Sequence, residues 1–199
     1  MTRIISGLSV SLDGYIAGPE DSRERPLGIG GERLFEWYSD GDTPSRLYPR
    51  FRLSRRSAEF FDELAGRGGA VITGRRTYDI ANAWNGDGPL PGAPLVVLTH
   101  NVPDEVPQGS SMYTFVTTGI ADAVAQARAA AGDKDVSIMG SAGVQQALRA
   151  GLLDELIVHL VPVLLGGGVR LLDEVEADLR CTRVVDAPGV THLAYEVVR

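Results

Sequence analysis

The chain has 199 residues, 44% hydrophobic and 23% charged, with a formal net charge of -7, a size and balance that suit one globular domain able to bury its core without metals or disulfides. The acidic balance argues against nucleic acid as a partner, and the lone Cys181 rules out an intrachain disulfide and fits a reducing compartment. No apolar run approaches the ~18 residues of a membrane span and the N-terminus lacks a secretory pattern, so a cytoplasmic protein that does not engage the membrane is expected.

Arg3 to Leu12 reads as the first strand. Ile4, Leu8, Val10 and Leu12 share one parity, and Ile5, Gly7, Ser9 and Ser11 share the other. The second face is small and lightly polar, which allows a backbone or a flat ligand to come close. Asp13-Gly14 turns the chain before Tyr15-Ile16-Ala17. An acid just past a central strand either meets substrate or only caps its own turn. Glu20 to Gly31 is polar and turn-rich, and a mobile surface loop is expected. Glu32 to Tyr38 suits a short helix given bulk by Leu34, Phe35, Trp37 and Tyr38, and Gly41 to Pro49 is loop again. Such a long excursion in a compact domain is usually functional or disordered. Its aromatics either stack on a ring or anchor the loop.

Ser54 to Ala65 predicts a helix capped by Ser54 or Ser57, with Phe61, Leu64 and Ala65 as its buried stripe and Gly66 as its end. Ala70 to Thr73 is a strand. Gly74-Arg75-Arg76-Thr77 then opens a helix running through Tyr78, Ile80 and Ala81 to Trp84. Arginines at a helix N-terminus oppose its dipole. A phosphate would relieve that, because guanidinium and backbone N–H groups can share it; without a ligand the pair is simply exposed. Trp84 to Pro94 is loop. Leu95 to Leu98 is a strand ending in Thr99-His100-Asn101, polar residues where open α/β sheets contact a ribose or adenine. Val102 to Ser111 is loop and Tyr113 to Val116 a strand. Thr118 can cap a helix from Ile120 to Ala131 that Gly132 ends.

Asp135 to Leu172 organises the chain. Val136, Ile138 and Met139 form a strand that Gly140-Ser141-Ala142-Gly143 breaks, and Val144, Ala147 and Leu148 recur at helical spacing until Gly151. Small residues between a strand and a helix leave bare N–H groups for an anion. Gly140 to Val144 is thus either a phosphate seat, most naturally for a dinucleotide pyrophosphate, or a tight turn with no ligand. Leu156 to Leu165 is a second apolar run, closed by Gly166-Gly167-Gly168. Leu179–Val185 and Thr191–Val198 alternate as a hairpin around Ala187-Pro188-Gly189. About eight strands and four helices, mostly alternating, predict an α/β domain over 1–199. Its sheet is mainly parallel and ends in an antiparallel hairpin.

His100, His159 and His192 stand far apart, and no HExxH, CxxC, Walker A, G-x-S-x-G or complete G-x-G-x-x-G is present. A metal-free enzyme whose hard chemistry sits in a bound cofactor is left. The ordered motifs Ser11–Ala17, Gly74–Tyr78, Ile138–Gly143, Gly151–Leu156 and Pro162–Gly168 resemble the dihydrofolate-reductase-like superfamily. They are closest to the C-terminal reductase domain of the bifunctional riboflavin-biosynthesis deaminase/reductase. The resemblance implies a dihydrofolate-reductase fold, NADPH and a homodimer formed through a sheet edge. It places Gly74, Arg75, Arg76 and Thr77 on the adenosine-side phosphates, with Arg75 or Arg76 on the 2′-phosphate, Thr99, His100 and Asn101 by the ribose, and Gly140 to Val144 on the pyrophosphate. Asp13 is expected as proton donor beside the nicotinamide, and Ser11, Glu36 and Trp37 on the substrate.

The match has departures. The lysine usual in the first strand is replaced by Ile5-Ser6-Gly7-Leu8, the zinc cysteines of the deaminase domain are not expected with a single Cys in these 199 residues, and an acidic insert follows Gly18. The expected activity is an NADPH-dependent reduction of a small substrate, first 5-amino-6-(5-phosphoribosylamino)uracil. The alternatives are a pterin, dihydrofolate-like or other conjugated carbonyl substrate, or an NADPH-binding protein without turnover.

Overall fold

The alternation of the first strand is realised in the computed structural model, which describes residues 2–198. β1 (Ile4–Ser11) buries both faces, with Ile4 and Val10 on one and Ile5, Ser9 and Ser11 on the other. Next come β2 (Tyr15–Ala17), a 3₁₀ helix (Gly31–Tyr38), the short pair β3 (Thr43–Pro44) and β4 (Arg52–Leu53), and α1 (Arg55–Arg67). β5 (Gly68–Gly74), α2 (Arg75–Ile80), a second 3₁₀ turn (Asn82–Gly86), β6 (Leu95–Leu98), β7 (Tyr113–Val116) and α3 (Ile120–Ala131) follow. β8 (Asp135–Met139), α4 (Ser141–Arg149), β9 (Glu155–Val161), β10 (Val169–Arg170), β11 (Asp178–Ala187) and β12 (Val190–Val198) complete the order.

The main sheet has eight strands in the order β11-β12-β9-β1-β8-β5-β6-β7. All neighbours from β9 to β7 are parallel, and β12 runs antiparallel to both β9 and β11. This is the mostly parallel α/β sheet with a terminal hairpin that the pattern predicts. On one face, Ala123, Val124 and Ala127 of α3 and Val144 and Ala147 of α4 pack on Ile4, Ile72, Val136 and Ile138. On the other, Phe60 of α1 packs on Ile5 and Ile157, and Tyr78 of α2 on Val71, Leu95 and Val97. No helix among the described residues is long and apolar enough to cross a membrane.

Several boundaries move for local reasons. Ser54, not Ser57, caps α1, its Oγ accepting the Ser57 N–H at 3.2 Å, a bond worth about 1 kcal/mol. α1 runs past Gly66 because Arg67 is held by Asp135 at 2.8 Å and Glu155 at 2.6 Å. Thr118 does not cap α3; Gly119, at φ 110, takes that place with no side-chain bond. α2 stops at Ile80, short of Trp84, because Asn82, Ala83, Trp84 and Asn85 adopt φ of 48–53° and reverse the hand of the chain. The segment expected as a mobile loop at 20–31 is closed on itself, with Gly18 N–H donating to Leu27 O and Ile29 N–H to Pro19 O, each at 2.8 Å. Arg23 in it hydrogen-bonds Asn82.

Candidate active site

Crossovers decide where a ligand can enter this sheet. The chain leaves β1 toward the α1 face and leaves β8 toward the α4 face, so the winding switches between two neighbours. Such a switch opens a crevice at the carboxyl ends of parallel strands. β1 and β8 pair only at Ile4↔Val136 and Ile5↔Ser137, whereas β1 and β9 pair from Ile5 to Ser11. Beyond Ser137 the two strands part.

Three expected cofactor segments line this edge, because β8, β5 and β6 are neighbours and Gly140–Val144, Gly74–Thr77 and Thr99–Asn101 follow them in turn. A Cβ on Gly140, whose φ is 90°, would lie 2.8 Å from Thr77 Oγ1, so the two glycine junctions touch. α4 starts with no side-chain cap and no acid in its first turn, and so does α2. The free N–H groups of Ser141, Ala142 and Gly143 and the dipole behind them suit a phosphate. Val144 is buried and its N–H returns to Gly140 O at 3.3 Å, so it supports the turn from behind. Gly143 is small for a packing reason, since a Cβ would meet Ile138 Cγ2 at 2.9 Å. The residues present therefore fit a dinucleotide.

The two arginines differ. Arg75 Nε donates to both Asp79 oxygens at 2.9 Å, and its Nη1 donates to Asn101 O at 2.8 Å, which ties the Gly74 junction to the end of β6. Thr99 is buried and its Oγ1 donates to the same carbonyl at 2.8 Å, while His100 is exposed. Arg76 presents its fork to Asp21, Nη2 to Oδ1 at 2.7 Å and Nε to Oδ2 at 3.1 Å. A carboxylate of the 18–31 loop thus occupies one of the two guanidinium groups expected to meet a 2′-phosphate. Replacing Asp21 with alanine should tighten NADPH about two- to fivefold, the scale of a surface ion pair. Calorimetric titration reads it, and weaker binding would show that the pair organises the seat instead.

Asp13 lies beyond the same edge in an ionised role. Its carboxylate accepts Ser11 Oγ–H at 2.5 Å, Gly166 N–H at 2.7 Å and Leu165 N–H at 3.1 Å. The Ser11 hydroxyl foremost, with those backbone amides, lowers its pKa to about 2. A carboxylate with these bonds is a poor proton donor at neutral pH; it orders the glycine loop that follows β9.

A cavity of about 650 Å³ opens on the α1 side of the parted strands. Its floor is Ile5, Gly7, Val71, Ser137 and Met139, the small face predicted for the first strand together with its neighbours. Phe61, Leu64 and Ala65 form one wall. They were expected as a core stripe, but they are only half-buried because they face this space. Trp84 and Gly88 to Pro91 form the opposite wall, and Tyr48 O–H donates across to Pro89 O at 2.8 Å. No lining residue is Asp, Glu, Lys or Arg.

The three residues expected on substrate do not line this space. Glu36 points to solvent. Ser11 is buried against Asp13. Trp37 is buried with its Nε1–H on Ser9 Oγ at 3.1 Å. What Trp37 covers is a pair that sequence spacing concealed. His159 and His192, far apart in the chain, are cross-strand partners in β9 and β12, and their Nδ1 atoms lie 2.9 Å apart. His159 reaches the cavity. Only knowledge of which strands pair, and in what register, could have revealed this.

Burial lowers His159 to about 3, helped by His192 beside it, and His192 to about 4, helped by the positive charge of Arg183. Both are neutral in the native protein, while the unfolded chain takes up protons from pH 6.5 downward. Stability is therefore full above pH 6.5 and falls as pH drops through the window toward 4, by on the order of a few kcal/mol for the pair. Thermal melts between pH 6.5 and about 5, above most carboxylate titration, should show the loss, and His192→Gln should flatten it. An unchanged slope would remove the assignment.

A family model described as the RibD C-terminal domain matches residues 2–192. The chain belongs to the RibD C-terminal domain family. Three solved structures share its fold. A candidate riboflavin biosynthesis protein from Shewanella sp. PV-4 is 26% identical, with full coverage of both chains and a TM-score of 0.68. A diaminohydroxyphosphoribosylaminopyrimidine deaminase/5-amino-6-(5-phosphoribosylamino)uracil reductase from Thermotoga maritima is 13% identical, with a TM-score of 0.63 over 99% of this chain and 57% of that one. Dihydrofolate reductase from Enterococcus faecalis, complexed with NADP(H), is 16% identical, with a TM-score of 0.59 over 99% and 97%. The fold is thus dihydrofolate-reductase-like. Among curated proteins no sequence matches this RibD C-terminal domain relative.

Proposed function

We propose that this chain is an NADPH-dependent reductase acting on a small molecule in the cavity under α1. The observation that carries the reading is the parting of β1 and β8, with two touching, uncapped glycine junctions at the carboxyl ends of β5 and β8 and the cavity beside them. NADPH, when bound, supplies a hydride. The chain's own residues bind and orient: Arg76 with Arg75 for the 2′-phosphate, Gly74 and Thr77 beside it, Thr99 and His100 by the ribose, and Gly140 to Val144 for the pyrophosphate. Asp13, in this reading, holds the Leu165–Gly168 loop and leaves proton delivery to another group. The exposed edge strand β11, with Leu179 and Val184 in solvent, is the surface offered to a second copy.

Family membership makes 5-amino-6-(5-phosphoribosylamino)uracil the first compound to assay. The uncharged lining favours a second reading for the part of the substrate inside the cavity, a neutral flat ring with no phosphate of its own there. Fluorescence titration with NADPH should saturate. NADPH oxidation should then follow with that compound, with a dihydropterin or with an unphosphorylated conjugated carbonyl. Binding without oxidation by any of them would leave a nucleotide-binding protein, and no binding would remove the reading.

A further inference from the structure

We propose that Ser54, Ser57, His192 and His159 form a proton wire that runs from the surface at the start of α1 into the cavity. The inference rests on the reductase reading, because hydride delivery to a carbon leaves the neighbouring nitrogen or oxygen of the substrate in need of a proton. Asp13, ionised and occupied, does not supply one.

The four groups are in continuous contact. Ser54 Oγ lies 3.0 Å from Ser57 Oγ. Ser57 Oγ lies 3.0 Å from His192 Nε2, and His192 Nδ1 lies 2.9 Å from His159 Nδ1. His159 faces the cavity, with its Nε2 3.7 Å from where a Cβ on Gly7 would stand. Ser57, His192 and His159 are 1%, 0% and 2% exposed, while Ser54, at the start of α1, is half-buried. Phe60 stacks on His192 at 4.9 Å, and Trp37 lies 5.1 Å from both imidazoles. Only the two ends are open.

Hydrogen counting sets the direction. Two Nδ1 atoms at this distance share one hydrogen, so one ring is the Nδ1–H tautomer and the other is not. Ser54 Oγ already accepts the Ser57 N–H as helix cap, which leaves its own hydrogen for Ser57 Oγ. Ser57 then gives its hydrogen to His192 Nε2, His192 carries its own on Nδ1 and gives it to His159 Nδ1, and His159 carries its hydrogen on Nε2, toward the cavity. In the reductive step the His159 Nε2–H bond breaks as the substrate N–H or O–H bond forms. The His192 Nδ1 proton moves to His159 Nδ1, the Ser57 proton to His192 Nε2 and the Ser54 proton to Ser57, and water replaces the last. Each station loses one proton and gains one, so neither buried ring becomes charged. When product has left, water in the open cavity restores His159 Nε2–H, the hops run back and Ser54 returns its borrowed proton to water, so the cavity supplies the net proton while the wire keeps both rings neutral during the step. His159 is the catalytic residue of the set; His192, Ser57 and Ser54 act through it.

Long-range proton–nitrogen correlation spectra of the full-length protein read the tautomers without any ligand. His192 as Nδ1–H and His159 as Nε2–H is the expected result, and the opposite pair would overturn the wire. With whichever of the three named compounds is reduced, Ser57→Ala should lower kcat by about tenfold or more and straighten a curved solvent-isotope proton inventory. KM and NADPH affinity should hold, the melting temperature should fall by a few degrees because His192 Nε2 loses its buried partner, and Ser57→Thr should restore both turnover and stability. An Ser57→Ala enzyme with wild-type kcat and inventory would also overturn it. Turnover with none of the compounds would remove the reductase reading and leave the tautomers to decide the wire.

Discussion

Alanine at both Arg75 and Arg76 should weaken NADPH about ten- to hundredfold and NADH by only about twofold. A 2′-phosphate seated on Arg76, as proposed, would make charge-assisted bonds of about 1.5–3 kcal/mol, and NADH has no group there. Arg76 carries most of the effect, since its fork is free to turn from Asp21 to a ligand. Arg75 is committed to Asp79 and Asn101 and contributes by keeping the two strand ends together. Calorimetric titration with each nucleotide measures the difference. Equal losses for both would remove the 2′-phosphate assignment, and no loss for either would move the cofactor elsewhere.

Valine at Gly140 should abolish measurable NADPH binding, a loss of more than about a hundredfold. The backbone there sits at φ 90°, and the added Cβ would press on Thr77 Oγ1 at 2.8 Å. A β-branched residue is strained at this φ by about 1–3 kcal/mol, and relief comes only by moving the turn that presents the first α4 amides. Gly151 provides the control. Its φ of 63° strains a substituent in the same way, but nothing lies within 4 Å of the Cβ position. Gly151→Ala should lower the melting temperature and leave NADPH affinity as it is. Loss of binding in both variants would assign the Gly140 effect to general destabilisation.

Local chemistry made much of this molecule legible from its sequence. Period-two alternation in Ile4–Ser11, the Ser54 cap and the glycines at 74 and 140 each act on near neighbours, so strands, helices and the two strand–glycine–helix junctions could be read directly. Features set by distant partners could not. Phe61, Leu64 and Ala65 have the spacing of a core stripe, and only the sheet beneath them and Trp84 opposite turn that stripe into a cavity wall. His159 and His192 meet because β12 pairs with β9 in one register. Asp13 looked like an acid at the end of a strand; the Ser11 hydroxyl foremost, joined by the amides of Leu165 and Gly166 about 150 residues on that no local pattern announces, keeps it a carboxylate. The left-handed run at Asn82–Asn85 has no glycine to announce it.

The loop that lends Asp21 to Arg76 also holds Asn82 through Arg23, two residues before Trp84 of the cavity wall. A nucleotide phosphate that claimed Arg76 would displace Asp21 and slacken the strap on that wall. The expected order is then nucleotide first and substrate second, and initial-rate patterns should be those of a sequential enzyme with ordered addition.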